Sequence, residues 1–250
     1  MFNINFFKLL RVGGWINTLN IKVFIKLSKI FKNPSILEIG THYGRSLIPI
    51  ILSNKSIKDI SVVDAFSNQK FNSSNSGFGN KKIFLKNIKK FKIDKSNIDI
   101  IDDTSLNFKN YYKKKFSKKK FDIIHIDGGH SEKEVINDIK IALKLRKKNS
   151  IVIIDDVFNA AFPEVLKAYL IFKNNFFPIC LTDQKIFLSR DKKIALKIRK
   201  TLLSNSFNKK KIKFFNKETF YISENDEKLR DYLLQKFRLI RSIFYTRYHF

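Results

Sequence analysis

The stretch Ile36-Leu37-Glu38-Ile39-Gly40-Thr41-His42-Tyr43-Gly44-Arg45-Ser46 decides the fold. An apolar run ends at Gly40, small and polar residues follow, and apolar residues resume at Leu47. This order predicts a strand buried on both faces, then a turn, then a helix. Gly40 and Gly44 let the backbone come close to a ligand, and the N–H groups that open the next helix can donate to it. A carboxylate inside a strand needs partners, so we expect Glu38 to brace the turn or a cationic ligand.

The spacing of the two glycines argues against a nicotinamide site. They stand as Gly-x-x-x-Gly, whereas the dinucleotide-binding fingerprint is Gly-x-Gly-x-x-Gly. Alone, the pair fits an ordinary strand-to-helix turn as well as it fits a cofactor-binding turn. Segments further along the chain decide between the two.

Length and composition indicate one main α/β domain. A chain of 250 residues can bury a sizeable core, and no linker rich in Pro or Gly divides it. The single cysteine, Cys180, excludes an internal disulfide and fits a reducing compartment, so we expect the protein to be cytoplasmic. The N-terminal stretch from Phe2 to Phe31 is apolar, but lysines interrupt it and no run is long enough to span a membrane. It reads as a helix packed on the domain edge, with peripheral membrane contact as the minority interpretation.

Two further strands are expected to end in polar residues. Asp59–Asp64 reads as the second strand, and Asp64 lies about twenty residues beyond the glycine turn, where nucleotide-binding α/β folds place an acid that accepts from ribose hydroxyls. A solvated strand end is the alternative. The third strand begins at Asn97 and ends near Asp103. Between them, residues 67–80 are rich in Ser, Asn and Gly, which fits either a lid over the site or a disordered insertion.

Carboxylates end the fourth and fifth predicted strands. Phe121–Asp127 is followed by two glycines and a helix start with capping-box spacing, and the strand that begins at Ile151 ends in Asp155 and Asp156. Strands joined by a helical crossover usually lie close together, so these acids should converge. Hard oxygen ligands suit Mg²⁺. Adjacent strand residues point to opposite faces, however, so Asp155 and Asp156 reach one metal only if the strand ends there.

The runs Glu-Ile-Gly-Thr-His-Tyr-Gly-Arg-Ser, Ile-Asp-Gly-Gly-His-Ser and Val-Ile-Ile-Asp-Asp-Val together resemble the class I S-adenosylmethionine-dependent methyltransferases, and among them the macrocin-type sugar O-methyltransferases. The resemblance covers Ile36 to Arg190. It implies a doubly wound, mostly parallel seven-stranded Rossmann-like sheet with an antiparallel last strand. Two departures are Lys147–Ser150 in place of the usual Pro-Gly-Gly turn, and Pro49 early in a helix.

Around this domain, expected over residues 34–203, we predict an N-terminal helical segment over 1–33 and a C-terminal extension over 204–250. The extension is expected to hold a strand within Lys213 to Ile222 and a last helix from Asn225 to about Tyr245.

The resemblance also implies site residues. The cofactor S-adenosylmethionine is expected to meet Glu38, Gly40, Thr41, Gly44, Ser46, Asp64, Ala65, Asp103, Thr104 and Asp127. In the resembled enzymes, carboxylates after strands four and five hold a divalent metal that binds acceptor hydroxyls, which makes Asp127, Asp155 and Asp156 the candidate ligands. His130 is placed to take the acceptor's proton together with Asp127, although a histidine there can equally just hydrogen-bond the turn.

The function expected from these residues is methyl transfer to a hydroxyl oxygen of a small molecule or sugar, assisted by a divalent metal such as magnesium, in a protein that can form homo-oligomers. The net charge of +28 supports a rival from another class, an RNA-directed methyltransferase or nucleic-acid-binding protein. The excess is mostly lysine spread along the chain, and no RNA-binding signature is present, so no specific nucleic acid is expected. A membrane-associated scaffold is a third interpretation, resting on the aromatic and basic chain ends.

Overall fold

The computed structural model describes residues 6–54, 56–66, 68, 70, 72, 77–203 and 207–223. The helix predicted from Asn225 to Tyr245 lies outside the described residues, as does part of the loop predicted over residues 67–80. Among the described residues, no helix is long and apolar enough to cross a membrane.

Nine strands and eight α-helices make up the described chain. The strands are β1 (Ser35–Ile39), β2 (Asp59–Asp64), β3 (Ile98–Asp102), β4 (Phe121–Ile126), β5 (Arg146–Ile154), β6 (Phe177–Leu181), β7 (Ile186–Ser189), β8 (Asn208–Phe214) and β9 (Lys217–Ser223). The helices are α1 (Phe6–Leu10), α2 (Thr18–Ser28), α3 (Leu47–Ser53), α4 (Lys81–Lys90), α5 (Phe108–Lys115), α6 (Glu132–Leu145), α7 (Pro163–Phe172) and α8 (Lys192–Leu202).

All nine strands form one sheet in the order β3-β2-β1-β4-β5-β7-β6-β9-β8. The strands β1 to β5 are parallel to one another. The strand β7 runs antiparallel between β5 and β6. The predicted doubly wound α/β fold and its antiparallel strand are therefore confirmed. The carboxyl ends of β1 to β5 meet at one edge, which is where ligands bind in such sheets.

The predicted number of seven strands is wrong, because the C-terminal extension adds two more. A single strand was expected there, but β8 and β9 form an antiparallel hairpin that continues the sheet beyond β6. Its turn residues Phe215 and Asn216 both have positive φ, 45° and 63°, as tight hairpin turns require. The lysines of β8 suit an edge strand, where charge discourages pairing with other chains.

The core lies on both faces of the sheet. On one face α2, α3, α4 and α8 pack against the strands, and on the other α5, α6 and α7 do so. Neighbouring residues of β1 serve opposite faces, since Ile36 packs in the first cluster and Leu37 in the second. Phe24 of α2 is fully buried in the first cluster, so the N-terminal helices pack on the sheet as predicted.

The lysines that replace the usual turn before β5 are themselves part of the sheet. β5 begins at Arg146, directly after α6. The ammonium of Lys147 donates to Asp122 Oδ2 at 2.6 Å and to Ser35 Oγ at 3.0 Å. These bonds tie the start of β5 to β4 and β1.

Candidate active site

Gly40, at the end of β1, is packed against the backbone that follows β4. Its φ is +79°, and a Cβ at this position would lie 1.8 Å from the carbonyl oxygen of Asp127. The Gly40 amide donates to Val63 O at 2.9 Å, and the Asp127 amide donates to Ile39 O at 2.8 Å. The glycine therefore allows three strand ends to come together, a need that the sequence alone did not reveal.

Glu38 braces the β1–α3 turn from beneath. Its buried carboxylate accepts from Thr41 Oγ1 at 2.5 Å and from Ser46 Oγ at 2.7 Å, and it lies 2.8 Å from His125 Nδ1. Of the two roles expected for this acid, the structure shows the bracing role. A buried carboxylate with three partners is well satisfied and holds the turn in one conformation.

Asp64, at the end of β2, holds the same turn from the side. Its Oδ2 accepts from the backbone amides of Thr41 and His42 at 2.7 and 2.8 Å, and its Oδ1 accepts from Phe66 N at 2.5 Å. Burial raises the pKa of Asp64, and these three hydrogen bonds offset only part of that rise.

A cavity of about 630 Å³ lies over the carboxyl ends of the strands, a volume typical of ligand sites. Six of the residues predicted to meet the cofactor line it: Gly40, Asp64, Ala65, Asp103, Thr104 and Asp127. The other four, Glu38, Thr41, Gly44 and Ser46, are not among the lining residues. The reason is local, since Thr41 and Ser46 turn their hydroxyls inward to Glu38, and Gly44 packs against Phe84.

The loop after β3 forms another wall of the cavity. Asp103 Oδ1 accepts from Thr104 N at 2.7 Å and from Asn107 Nδ2 at 2.9 Å. Thr104 rather than Ser105 caps the short helix that follows, because its Oγ1 accepts from Leu106 N. Both Asp103 and Thr104 are thus fixed by local bonds while they face the cavity.

An acid–histidine pair lies at the β4 and β5 side. His130 Nε2 is 3.1 Å from Asp156 Oδ2, and the imidazole stacks on Phe162 with ring centroids 3.8 Å apart. Asn159 Nδ2 donates to Asp156 Oδ1 at 2.9 Å. Burial alone would raise the pKa of Asp156, but the hydrogen bonds from His130 and Asn159 outweigh it and lower the pKa below its ordinary value.

Asp155 points the other way, into the protein. Its Oδ2 contacts the ammonium of Lys185, and its Oδ1 accepts from Asp156 N at 2.8 Å. Lys185 is fully buried, and burial lowers its pKa to about 8, with Asp127 and Glu38 opposing part of the shift. Sequence reasoning missed this lysine. The one signal was a charged residue directly before the apolar β7.

The three predicted metal ligands do not form a single set. One group of atoms within 4.8 Å of one another comes from His125, Asp127 and Asp155, and a second comes from Asp127, His130 and Asp156. The split follows from strand geometry, since adjacent residues point to different sides. In the inner group Lys185 already supplies a positive charge. The outer group, with two carboxylates and an imidazole facing the cavity, fits a divalent cation.

The sign of charge inside the cavity is opposite to that of the whole chain. Among the described residues that line it, none is Lys or Arg, while six are acidic: Asp64, Asp103, Asp127, Glu134, Asp155 and Asp156. Burial raises the pKa of Asp127, but Lys185 and His125 oppose the rise. A cavity of this kind attracts a cationic ligand and repels a polyanion.

Residues 37–157 match the model of a family described as "Methyltransferase domain". Residues 37–157 therefore form a methyltransferase domain. The matched range begins in β1 and ends just beyond Asp156, so it includes the glycine turn and every acid of the cavity. No curated protein matches the sequence significantly.

Solved structures share the fold of this methyltransferase domain at low sequence identity. An O-methyltransferase from Bacillus cereus in complex with SAH is 17% identical, with a TM-score of 0.56 over 73% of this chain and 86% of that one. TomG, an O-methyltransferase from Streptomyces achromogenes in complex with SAM, is 12% identical, with a TM-score of 0.55 over 71% and 82%. CalS11, a TDP-rhamnose 3'-O-methyltransferase of calicheamicin biosynthesis, is 13% identical, with a TM-score of 0.55 over 70% and 79%.

Proposed function

We propose that this domain transfers the methyl group of S-adenosylmethionine to a hydroxyl oxygen of an uncharged small molecule or sugar. One observation carries the proposal. One cavity is lined both by the glycine turn with Asp64 and by the group of Asp127, His130 and Asp156. The first side suits a nucleoside cofactor, and the second suits a hydroxyl group.

The cofactor side of the cavity suits a ligand that carries both a positive charge and a ribose. The sulfonium of S-adenosylmethionine is positive, and the lining is acidic without Lys or Arg among its described residues. Asp64 already accepts three backbone amides, yet a carboxylate has about four acceptor positions, so a ribose hydroxyl can still donate to it. Asp103 and Thr104 would then lie beside the adenine.

At the acceptor side, His130 would take the proton of the acceptor hydroxyl. The hydrogen bond to Asp156 orients the imidazole, and the stack on Phe162 fixes its plane. The pKa of Asp156 is lowered, so this acid stays ionised and stabilises the imidazolium that proton transfer creates. Because the methyl group is already electrophilic in the cofactor, holding the two reactants in line supplies much of the rate.

The alternative to His130 as base is a divalent cation such as Mg²⁺, held by Asp127, His130 and Asp156; it would itself orient the acceptor oxygen and favour its ionised form, and His130 would then be a ligand and not the base. This set replaces the one expected from the family resemblance, because Asp155 faces Lys185 instead. Asp127 belongs to both groups, so a cation held by either group would be bound by Asp127.

Three neighbours in the fold support the chemistry by their descriptions. Two are O-methyltransferases with SAH or SAM bound, and CalS11 is a TDP-rhamnose 3'-O-methyltransferase, whose sugar carries a diphosphate that the uncharged acceptor proposed for this chain lacks. The acidic lining also favours a small acceptor over RNA, because its phosphates would meet carboxylates and find no Lys or Arg among the described lining residues. None of the chain's lysines is among the described residues that line the cavity.

Calorimetric titration with S-adenosylhomocysteine tests the cofactor assignment first. Transfer from methyl-labelled S-adenosylmethionine to a panel of glycosides and diols then tests the reaction, with and without Mg²⁺ after exhaustive chelation. Tight binding of NAD with no response to S-adenosylhomocysteine would refute the proposal. Full turnover in the chelated enzyme would exclude a catalytic role for the metal and leave His130 as the base.

A further inference from the structure

Trp15 is the single tryptophan of the chain, and it lies at the mouth of the cavity. Its side chain is 72% exposed, the highest value among the large exposed hydrophobic residues described. An indole left in water forgoes burial of a large apolar surface. Because Trp15 is both exposed and part of the cavity lining, its indole offers an apolar surface to a bound molecule.

Contacts with the β1–α3 turn hold the residues just before Trp15. Residues 13 and 14 are glycines. A Cβ on Gly13 would lie 2.9 Å from the Tyr43 ring, and Gly14 has φ +136° with the Arg45 side chain against it. Arg45 Nη1 donates to the carbonyl oxygen of Gly14 at 2.6 Å. The segment before Trp15 is thus held on the outside of the β1–α3 turn.

The segment after Trp15 is held by the turn between β6 and β7. Asn17 Nδ2 donates to Asp183 Oδ2 at 2.9 Å, and Asn20 Nδ2 donates to Gln184 Oε1 at 3.2 Å. Ile16 is buried and also lines the cavity. The Trp15 segment therefore lies between an anchor at the β1–α3 turn and one at the β6–β7 turn, whereas β3 is the strand at the other end of the sheet from β6 and β7.

One face of the indole has a neighbour within the protein. The ring centroids of Trp15 and His42 are 5.2 Å apart, and His42 in turn stacks on Tyr43 at 3.7 Å. These contacts hold the indole beside the β1–α3 turn. Most of the indole remains open, so a ring of a bound molecule can pack on it at low entropic cost.

We propose that Trp15 determines acceptor specificity by packing against an uncharged, hydroxyl-bearing ring of the acceptor. This inference rests on the proposed function, since it names the part of the acceptor that the same cavity holds. The missing Lys and Arg among the described lining residues disfavour phosphate or carboxylate groups. Gln184, Asn159 and Asp156, which also line the cavity, offer hydrogen-bond partners to hydroxyls around such a ring.

The lone tryptophan makes a direct test feasible. Its fluorescence would be recorded in the complex with S-adenosylhomocysteine during titration with methyl glycosides, with catechol and with glucose 6-phosphate. We expect saturable quenching by at least one of the two neutral classes. Whichever class responds identifies the ring as a carbohydrate or an aromatic diol. Tighter binding of the phosphorylated sugar would overturn the assignment, as would no response to either neutral class.

Variants separate this role from folding and from cofactor binding. Trp15→Ala should raise the KM for the responding acceptor class about tenfold, and Trp15→Phe should recover part of that loss. Affinity for S-adenosylhomocysteine by calorimetry should stay unchanged in both. Phe215→Ala is the matched control, because Phe215 is an exposed aromatic outside the cavity. An unchanged KM in Trp15→Ala would refute the inference while leaving the proposed function intact, whereas wild-type protein that fails to bind S-adenosylhomocysteine would refute both.

Discussion

Gly40 and Asp127 touch so closely that a Cβ on the glycine would stand 1.8 Å from the aspartate's carbonyl oxygen. Any side chain at position 40 must therefore push β1 and β4 apart, besides adopting a positive φ. We predict that Gly40→Ala lowers the free energy of unfolding by about 2 kcal/mol or more. Urea unfolding of wild type and Gly40→Ala measures this decrease in the free energy of unfolding.

Gly77→Ala is the control for backbone strain without a clash. Gly77 has φ +63°, but nothing lies within 4 Å of its would-be Cβ. A loss in Gly40→Ala no larger than that in Gly77→Ala would contradict the role of the Asp127 contact.

Lys185→Met should destabilise the protein by about 3–5 kcal/mol. The change leaves the Asp155 carboxylate, which is 10% exposed, without its ammonium partner and next to Asp127, and breaking a largely buried ion pair from one side costs this much. Lys211→Met removes one partner of an exposed pair with Glu218 and should leave the free energy of unfolding nearly unchanged. Equal effects of the two substitutions in urea unfolding would count against the buried pair.

Asp138 of α6 makes part of the stability depend on pH. Burial raises its pKa to about 7, with hydrogen bonds from Ser105 and Asn137 opposing the shift. The folded state then holds a proton that the unfolded state releases, so this contribution is complete below about pH 4 and is lost as pH rises through 7. Asp138→Asn, which keeps the shape of the protonated acid, should flatten that dependence.

The measurement is the free energy of unfolding at pH 5 and pH 8 for both proteins. Wild type should lose roughly 1–3 kcal/mol more than Asp138→Asn over this interval. Parallel pH profiles for the two proteins would show that Asp138 is ionised in the folded state throughout.

Asp156→Asn should reduce methyl transfer about a hundredfold or more and leave the affinity for S-adenosylhomocysteine nearly unchanged. The substitution removes the negative charge that orients His130 and stabilises its protonated form. Single-turnover rates over pH 5–9, once an acceptor is known, provide the readout. A variant with the wild-type rate and pH profile would exclude the pair from catalysis, and His130→Ala should reproduce the loss.

Much of the fold was predictable because strand ends and helix starts carry local signals. Continuous apolar runs, the capping box at Ser131 and the order of helical crossovers were enough to place β1 to β5. The hairpin β8–β9 was harder to predict, since four of the seven residues of β8 are lysine or asparagine before any apolar residue appears. Lysine runs are usually solvated loops, and only the partner β9 and the sheet edge make this one a strand.

The candidate site was predictable as a set of strand ends but not in the direction of each side chain. The sequence puts Asp155 and Asp156 side by side, yet only the structure shows that one meets Lys185 and the other His130. Long-range partners such as Glu38 with His125 are 87 positions apart and leave no local pattern. Trp15 escaped notice for the same reason, because nothing in its neighbourhood in sequence points to a cavity built by later strands.

The clamp on the Trp15 segment also sets an order of events during synthesis. The bond from Asn17 to Asp183 spans 166 positions, so the Trp15 segment can be fixed only after the β6–β7 turn has formed. Contacts of such high sequence separation form slowly. The Glu38 brace needs only residues up to His125, so it can form before the Trp15 segment is held. A chain that ends before the β6–β7 turn would therefore lack the partners that hold Trp15 at the cavity.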